Sequence, residues 1–446
     1  MEDYINEFSY PGGEIQRIHT VRFDGWEGLD FLSPSPSPEA FDRVCSLYRD
    51  FIVPRCPWIF GKLVLFTLPD GMNVPFSFED SRYGAFDSPL TAAAAVFRRH
   101  VRIIGGKPVI DSTPVREFFE KLEAAGCIRL ALGALPFTVI LPVGNSFGFL
   151  SGCEESARMK VNASFFIMDR FDCSTVYDTI GTPLGLCVKD GKVLNPPLYS
   201  REAFAADKNG KGRIFVPELS DLSMEIHGEI YKRENRRLYT RFDRQYTPPG
   251  KVKDIVIIGN RAAAVHAGGL TPVPSSGFVL RAEPDSGIVP GDEVIYRGYE
   301  DIAFGIQVGN SIIRDGEKTE KFISPFFNIK HPWTVSFPPS LYPLDFERAR
   351  APRIALGEDA QGRSMISWME GMGKFGYEPG KESRGASLGE MAELCKKLGY
   401  VNAVNLDGGG SAQLLINNAR SLLVSDRKKS DFSEVERAIP MGLIIR

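Results

Sequence analysis

The chain has 446 residues, of which 43% are hydrophobic and 24% charged, and this composition excludes a disordered or fibrous protein. Its 53 basic and 56 acidic residues leave a formal net charge of −3 at pH 7, so no overall positive field is available to hold a nucleic acid. At this length we expect one large or two medium domains.

The start of the chain and its most apolar stretch indicate where the protein resides. Residues 1–7 are acidic and lack the basic start and apolar core of a secretory signal, which indicates a cytoplasmic protein, although a chain whose signal had been removed would look the same. Residues 130–143 are apolar, but they contain Pro136 and Pro142, so we expect buried strands and no membrane partner. The seven cysteines form no CxxC pair, and we expect buried thiols.

Two helices are predicted in the N-terminal third. The first begins at Pro38 after the possible cap Ser37, and apolar residues then recur at helical spacing. The second runs from Thr113 to its stop at Gly126. We therefore predict that residues 1–138 form an accessory region of α/β character.

The remaining chain predicts a sheet-rich domain. Short apolar runs alternate with glycine and proline turns, and Asp-Gly turns at residues 189–192 and 314–317 predict β-hairpins. The charged segment at about 195–250 has weak periodicity, which is typical of an insertion. The pattern predicts an α+β fold, in which a mixed, sheet-rich catalytic domain over residues 139–446 has flanking helices.

The C-terminal elements have the clearest local signals. Ser387 and Glu390 match a capping box at the start of an amphipathic helix that should stop at Gly399. Residues 401–406 then predict a strand, and a second strand is predicted over residues 412–416. The two strands are joined by the turn Asp407-Gly408-Gly409-Gly410-Ser411.

This turn is a candidate ligand site. Glycines allow the backbone to approach a ligand closely, and successive amides in such a turn can form an anion-binding nest, for which phosphate is the expected ligand. Asp407 offers an acid or base and Ser411 a hydroxyl donor. No lysine follows the glycines, so the turn is not a Walker motif. Residue types alone leave a purely structural turn as an equal alternative.

The segments around this turn resemble the phosphodiester glycosidase family. The resemblance implies a hydrolase that removes a sugar, such as N-acetylglucosamine, from a small-molecule or glycan phosphodiester, and the family's members are often secreted or lumenal. It rests on residues 384–394 and 401–412, with weaker matches in the family's order at Asn162-Ala163-Ser164-Phe165-Phe166, residues 182–186, residues 189–192, Gly309-Asn310, residues 314–316, Pro352-Arg353 and residues 355–357.

The resemblance also implies the site residues. Arg384 would clamp the phosphate through its forked guanidinium, Asp407 would act as base or nucleophile, and Glu370 would be the second carboxylate. Asp407, Glu370 and Arg384 are therefore the predicted catalytic residues, and we expect Arg384 and Asp407 to converge beside the glycine turn. The predicted substrate-binding residues are Asn162, Arg353, Gly408, Gly409, Gly410 and Ser411.

Some positions depart from the family's pattern, and each site residue has a structural alternative. Glu370 stands where the family usually has aspartate, and Ile354 where threonine is common, which bears on sugar specificity. Arg384 could form an ordinary ion pair, Asn162 could hold a turn, and Glu370 could be an exposed turn residue. Phe165 and Phe166 fit a core as well as a sugar platform.

No cofactor is predicted. The five histidines are scattered without zinc-binding spacing, whereas Asp407 leaves a calcium or magnesium site open. Two other functions compete with the glycosidase: a phosphodiesterase that cleaves the P–O bond, and a non-catalytic carbohydrate-binding or cell-envelope protein. The sequence carries no signal for an oligomeric state.

Overall fold

The computed structural model describes most of the chain from residue 150 onward together with its first strands. Strands dominate, which confirms the sheet-rich prediction, whereas the predicted flanking helices are represented among the described residues by a single α-helix. The helices predicted from Pro38 and Thr113 lie outside the described residues. The described residues are 1–32, 101–104, 107–110, 150–152, 156–166, 183–198, 201–232, 237–241, 243–319, 349–373, 376–427, 431–434, 436–437 and 439–446.

The elements are named in chain order. The helix α1 is Leu388–Lys397, and the 3-10 turns are Leu150–Gly152, Leu219–Asp221 and Gly409–Ser411. The strands are β1 (Glu2–Ser9), β2 (Ile15–Phe23), β3 (Leu29–Leu32), β4 (Val101–Ile104), β5 (Lys107–Ile110), β6 (Met159–Asn162), β7 (Cys187–Lys189), β8 (Lys192–Asn195), β9 (Ala203–Asp207), β10 (Gly212–Phe215), β11 (Ser223–Ile226), β12 (Glu229–Lys232), β13 (Leu238–Thr240), β14 (Lys253–Ile258), β15 (Arg261–Ala267), β16 (Gly277–Ala282), β17 (Ile295–Arg297), β18 (Ile302–Gln307), β19 (Ser311–Arg314), β20 (Glu317–Lys318), β21 (Arg353–Asp359), β22 (Ser364–Met369), β23 (Tyr400–Asn405), β24 (Leu414–Ile416), β25 (Ala419–Arg420) and β26 (Gly442–Ile445).

The largest sheet has seven strands in the order β1-β2-β22-β21-β23-β19-β20. Its first two strands lie within the N-terminal 23 residues, and β2 pairs with β22 along their length. Strand β3 likewise pairs with β26 in a five-stranded sheet of order β25-β24-β6-β26-β3. The predicted accessory region 1–138 therefore contributes strands to the sheets of the predicted catalytic domain, and the predicted boundary at residue 138 lies outside the described residues.

The predicted insertion, residues 195–250, also contributes strands. Its β9 pairs with β18 in a five-stranded sheet of order β10-β9-β18-β7-β8. Its other strands enter a three-stranded sheet, β12-β11-β17, and a four-stranded sheet, β13-β16-β14-β15. All pairings among the described strands are antiparallel.

The locally encoded turns and the helix cap form as predicted. Asp190 and Gly191 join β7 to β8 with φ of 50° and 77°, the positive values that a two-residue hairpin turn requires. The turn at residues 315–316 has the same character, with φ of 48° and 76°. At the start of α1, the Ser387 hydroxyl accepts from the Glu390 amide at 3.2 Å, and the Glu390 carboxylate accepts from the Ser387 amide at 2.9 Å.

Both faces of the seven-stranded sheet are covered. One buried cluster joins it to the two five-stranded sheets and includes Trp368, Leu406, Phe304 and Leu443. On the other face, α1 packs Met391, Leu394 and Cys395 against β2, β21 and β23. Each fully buried side chain of this size contributes about 1.5–3 kcal/mol. The thiols of Cys187 and Cys395 are buried as predicted, and the other five cysteines lie outside the described residues.

Candidate functional site

The glycine turn crosses from one sheet to another. Asp407 follows β23 of the seven-stranded sheet, and Ser411 precedes β24 of the five-stranded sheet. The Asp407 amide donates to the Ala163 carbonyl at 3.2 Å, immediately after β6 ends. Because Leu406 donates in the same way to Ile354 of β21, the ends of three strands meet at the turn. The structure thereby brings Asp407 together with Asn162 and Arg353.

Asp407 lies in a buried environment, with 7% of the residue exposed. One carboxylate oxygen accepts from the Gly408 amide at 2.9 Å. Burial raises the pKa of Asp407 to about 6, and the Ser411 hydroxyl, the Arg437 guanidinium, the Gly408 amide and Arg353 oppose this rise. A carboxyl group that titrates near neutral pH can take up or release a proton during a reaction.

Asn162 holds the turn. Its side-chain amide donates to the Asp407 carbonyl at 2.7 Å, and its side-chain oxygen accepts from the Gln413 amide at 3.0 Å. The side chain therefore fixes the backbone on both sides of the glycines. This is the structural role that the sequence left open for asparagine, and it positions the Asp407 carboxylate.

Most backbone amides of the turn donate hydrogen bonds within the protein. Gly409 donates to the Pro352 carbonyl at 3.0 Å, Ser411 to Gly408 at 3.2 Å, and Ala412 to Gly409 at 3.1 Å. The Gly408 amide donates to the Asp407 carboxylate. With these four amides engaged, the anion-binding nest stays a prediction, and side chains beside the turn are further candidate donors for an anion.

Two arginines flank the turn. The Arg353 guanidinium donates to the carbonyls of Ala386 at 3.1 Å and Ala349 at 3.0 Å, and a Cβ atom added at Gly408 would lie 3.8 Å from its Nη1 atom. Burial lowers the pKa of Arg353 to about 10, and the Asp407 carboxylate opposes this change. Arg353, a predicted binding residue, is thus adjacent to both Asp407 and the first glycine.

The second flanking arginine, Arg437, was not predicted. Its Nε and Nη2 atoms donate to the two carboxylate oxygens of Asp426 at 2.8 and 3.1 Å. A Cβ atom added at Gly410 would collide with its guanidinium, whereas one added at Gly409 would meet nothing within 4 Å. Open space therefore faces the middle glycine, whereas Arg353 and Arg437 lie against the glycines before and after it.

Gly410→Ala is expected to destabilise the protein more than Gly409→Ala does. The first change places a methyl group against the Arg437 guanidinium, and such overpacking costs about 1–3 kcal/mol. The second meets no neighbour and costs about 1–2 kcal/mol at most, because Gly409 has a φ of 59°. Urea unfolding of the two variants measures the difference, and a larger loss for Gly409→Ala would contradict the observed packing of Arg437.

Arg384 does not contact Asp407. Its Nη1 atom pairs with Glu14 at 2.7 Å, its Nη2 atom with Glu390 at 3.2 Å, and the guanidinium lies 3.6 Å from the centroid of the Tyr10 ring. Among the described residues, no hydrogen bond or ion pair joins Arg384 to Asp407. The contacts match the ion-pair alternative, and the convergence of Arg384 and Asp407 beside the turn stays a prediction.

Glu370 is buried, with 1% exposed, and is not an exposed turn residue. It accepts from the Ser383 amide at 3.1 Å and pairs with Arg17 at 3.5 Å and Arg427 at 4.0 Å. Burial raises the pKa of Glu370, and the Ser383 amide and both arginines oppose the rise. No hydrogen bond joins it to Asp407 within the described part of the chain.

Other features of the prediction can be placed briefly. Phe166 is buried, as its core alternative required, and Phe165 is half-buried beneath the Arg201 guanidinium at 5.5 Å. The described residues contain no group of three or more His, Cys, Asp or Glu side chains able to hold a metal ion. Within the same residues, no helix is long and apolar enough to cross a membrane.

Comparison with known proteins places the turn in a matched segment. Residues 260–446 match the family model described as phosphodiester glycosidase. The mouse N-acetylglucosamine-1-phosphodiester alpha-N-acetylglucosaminidase is 32% identical over 94 residues, which are 21% of this chain and 17% of that protein. Its human counterpart is 34% identical over 87 residues, covering 20% and 15%. The match thus spans about one sixth of these relatives' length.

Solved structures resemble the chain more distantly. A hypothetical protein from Synechocystis is 16% identical, with a TM-score of 0.42, over 100% of this chain and 62% of that one. The zebrafish N-acetylglucosamine-1-phosphodiester alpha-N-acetylglucosaminidase catalytic domain, auto-inhibited by its pro-peptide, is 20% identical, with a TM-score of 0.24, over 56% and 84%. The match at residues 260–446 confirms the resemblance seen in the sequence: this segment carries the sequence pattern of the phosphodiester glycosidase family.

Proposed function

We propose that the protein is a hydrolase that removes a sugar from a sugar-1-phosphodiester by cleaving the bond at the anomeric carbon. The observation that carries this proposal is the buried Asp407 carboxyl group, held beside an open glycine turn in the segment that matches the family. The names of the mouse and human relatives favour an N-acetylglucosamine phosphodiester on a glycan or small molecule as substrate.

The chemistry of such a substrate fits a site with one reactive carboxylate. The departing group is a phosphate monoester, which leaves far more readily than the alkoxide of an ordinary glycoside, so little proton donation is needed. The main tasks are to stabilise charge on the departing phosphate and on an oxocarbenium-like sugar. Asp407 supplies negative charge for the sugar, and the cationic Arg353 beside Gly408 supplies positive charge for the phosphate.

Asp407 is the group we assign to bond formation at the anomeric carbon, either by direct attack or by activating water. Its titration near pH 6 leaves it ionised at neutral pH, as either role requires. We assign Glu370 a supporting role, because its carboxylate is bound by Arg17 and the Ser383 amide. Asn162 holds the turn through its bonds to the backbone.

Hydrolysis in ¹⁸O-labelled water tests the proposal. Purified protein is screened against sugar-1-phosphoryl glycosides and UDP-sugars, and the products of any active substrate are analysed by mass spectrometry. Label in the anomeric hydroxyl supports cleavage at carbon. Label in the phosphate would instead identify a phosphodiesterase, and the absence of turnover across the panel would favour the non-catalytic alternative.

A further inference from the structure

The phosphate clamp predicted at Arg384 has an alternative at Gly410 of the glycine turn. We infer that Arg437, held by Asp426, binds the phosphate group of the substrate together with Arg353, and that Arg384 serves the fold. This inference rests on the proposed function for its substrate. The anion site itself, which would accept a phosphate monoester or diester, rests on the geometry of the turn.

Residue 410 is a glycine for a steric reason. Gly409 has a positive φ, but Gly410 does not, so the backbone at 410 does not require a glycine. A side chain there would require the Arg437 guanidinium to move, because the guanidinium occupies the space that the Cβ atom would need. Gly410 thus allows an arginine to lie directly on the backbone of the turn.

The orientation of that arginine is fixed. Asp426 binds the Nε and Nη2 atoms of Arg437 in a two-point contact, which sets the plane of the guanidinium. Arg353 is fixed in a comparable way by two backbone carbonyls. Two oriented guanidinium groups therefore lie against Gly408 and Gly410, the neighbours of Gly409, and they carry planar donor arrays that suit phosphate oxygens.

The charges around the turn also suit an anion. The two guanidinium groups and the carboxylates of Asp407 and Asp426 balance at neutral pH, so the turn carries no excess negative charge that would repel a phosphodiester anion. Arg384 is in a different situation, because Glu14 and Glu390 both bind its guanidinium and Tyr10 covers its face. A phosphate there would have to displace two carboxylates, and it would remain without a described contact to Asp407.

The test compares inorganic phosphate binding by four proteins. Isothermal titration with phosphate is carried out on the wild type and on Arg437→Gln, Arg384→Gln and Arg281→Gln. Arg281 is a matched control, because it makes the same two-point contact with Asp254 at 2.8 and 3.0 Å in the four-stranded sheet. The loss of one charge-assisted hydrogen bond weakens phosphate affinity about 10- to 150-fold. We expect this loss for Arg437→Gln and not for Arg384→Gln or Arg281→Gln.

A second readout separates binding from folding. Arg437 lowers the pKa of Asp407, so Arg437→Gln should move the acid limb of the pH profile of kcat/KM to higher pH. If Arg437→Gln fails to fold, Asp426→Asn replaces it, since it keeps the cation but removes one charge from its anchor. We expect that variant to bind phosphate several-fold more weakly than the wild type, because the guanidinium loses its orientation, and wild-type affinity would overturn the inference.

The outcomes distinguish this inference from the proposed function. Phosphate affinity that is unchanged in Arg437→Gln, or lowered equally in Arg384→Gln, would overturn the inference even if the wild type hydrolyses a sugar phosphodiester. Conversely, Arg437-dependent phosphate binding in a protein that turns over none of the tested substrates would leave the anion site standing and remove the proposed activity.

Discussion

Replacing Asp407 by asparagine is expected to reduce kcat on a sugar-1-phosphodiester by about 10²–10⁴-fold or more, because it removes the carboxylate placed at the reacting centre. The amide side chain keeps the shape of the carboxylate and an oxygen that can accept from Gly408. The fold should therefore persist. Steady-state kinetics with a far-UV circular dichroism spectrum checks both points, and a fully active variant would exclude Asp407 from the chemistry.

The same substitution has a predictable effect on stability. Burial raises the pKa of Asp407 to about 6, so its contribution to stability is present at low pH and is lost as the pH rises through 6. A pKa difference of one between the folded and unfolded states corresponds to about 1.4 kcal/mol. Asp407→Asn should thus gain stability relative to the wild type as the pH is raised from 4 to 8, by a few kcal/mol at most.

Asp359 provides a control with the opposite sign. Although burial opposes it, the amides of Arg363 and Gln361 and the Arg363 guanidinium lower the pKa of Asp359. Its contribution is therefore present above its unfolded-state pKa and is lost as the pH falls through the lowered value. Urea unfolding of Asp359→Asn at pH 3 to 8 should show the variant losing stability relative to the wild type as the pH rises. A slope of the same sign in both variants would contradict the pKa assignments.

Features encoded by neighbouring residues could be predicted from the sequence. The Asp-Gly hairpins need two positive φ values, which aspartate and glycine accept, and the capping box places Ser387 three residues before Glu390. The turn at 407–411 was located in the same way, from its glycines and the strands on both sides. These signals span a few residues and do not depend on the rest of the chain.

Contacts between distant segments could not be predicted. Strand β2 pairs with β22, and no sequence pattern within either strand identifies the other as its partner. Residues of β22 are buried on both faces, so the alternation that marks a half-exposed strand is missing before Glu370. Arg437 lies outside the motifs that carry the resemblance, and its role depends on Asp426 and Gly410, which only the fold brings together.

The same reasoning applies to the ion pairs of Arg384. Arg384 lies beside a recognisable motif, and the motif suggested a ligand contact. Its actual partner Glu390 belongs to the capping box of α1, and Glu14 comes from the turn between β1 and β2. A carboxylate from the N-terminal hairpin could not be anticipated while residues 1–138 were predicted to form a separate region.

Arg427→Met is expected to cause the largest loss of stability. Arg427 and Glu382 are 1% and 0% exposed as side chains and form an ion pair, and Arg427 also donates to the carbonyls of Val424 and Gly371. Breaking a buried pair by removing one partner costs about 3–5 kcal/mol, because the other charge stays buried without compensation. Urea unfolding measures the loss, with the exposed pair of Arg297 and Glu225 as control.

Arg297→Met should cost no more than about 1 kcal/mol, since exposed ion pairs contribute little. The double variant Arg427→Met with Glu382→Gln should recover part of the stability that Arg427→Met loses, because it also removes the unpaired buried charge of Glu382. Glu370 lies 4.0 Å from Arg427 in the wild type, and in the double variant it keeps its contacts with Arg17 and the Ser383 amide. A loss for Arg427→Met no larger than that of Arg297→Met would show that the buried ion pair is not what holds the 422–427 segment in place. The neighbouring Asp426 would then have to hold Arg437 without that support.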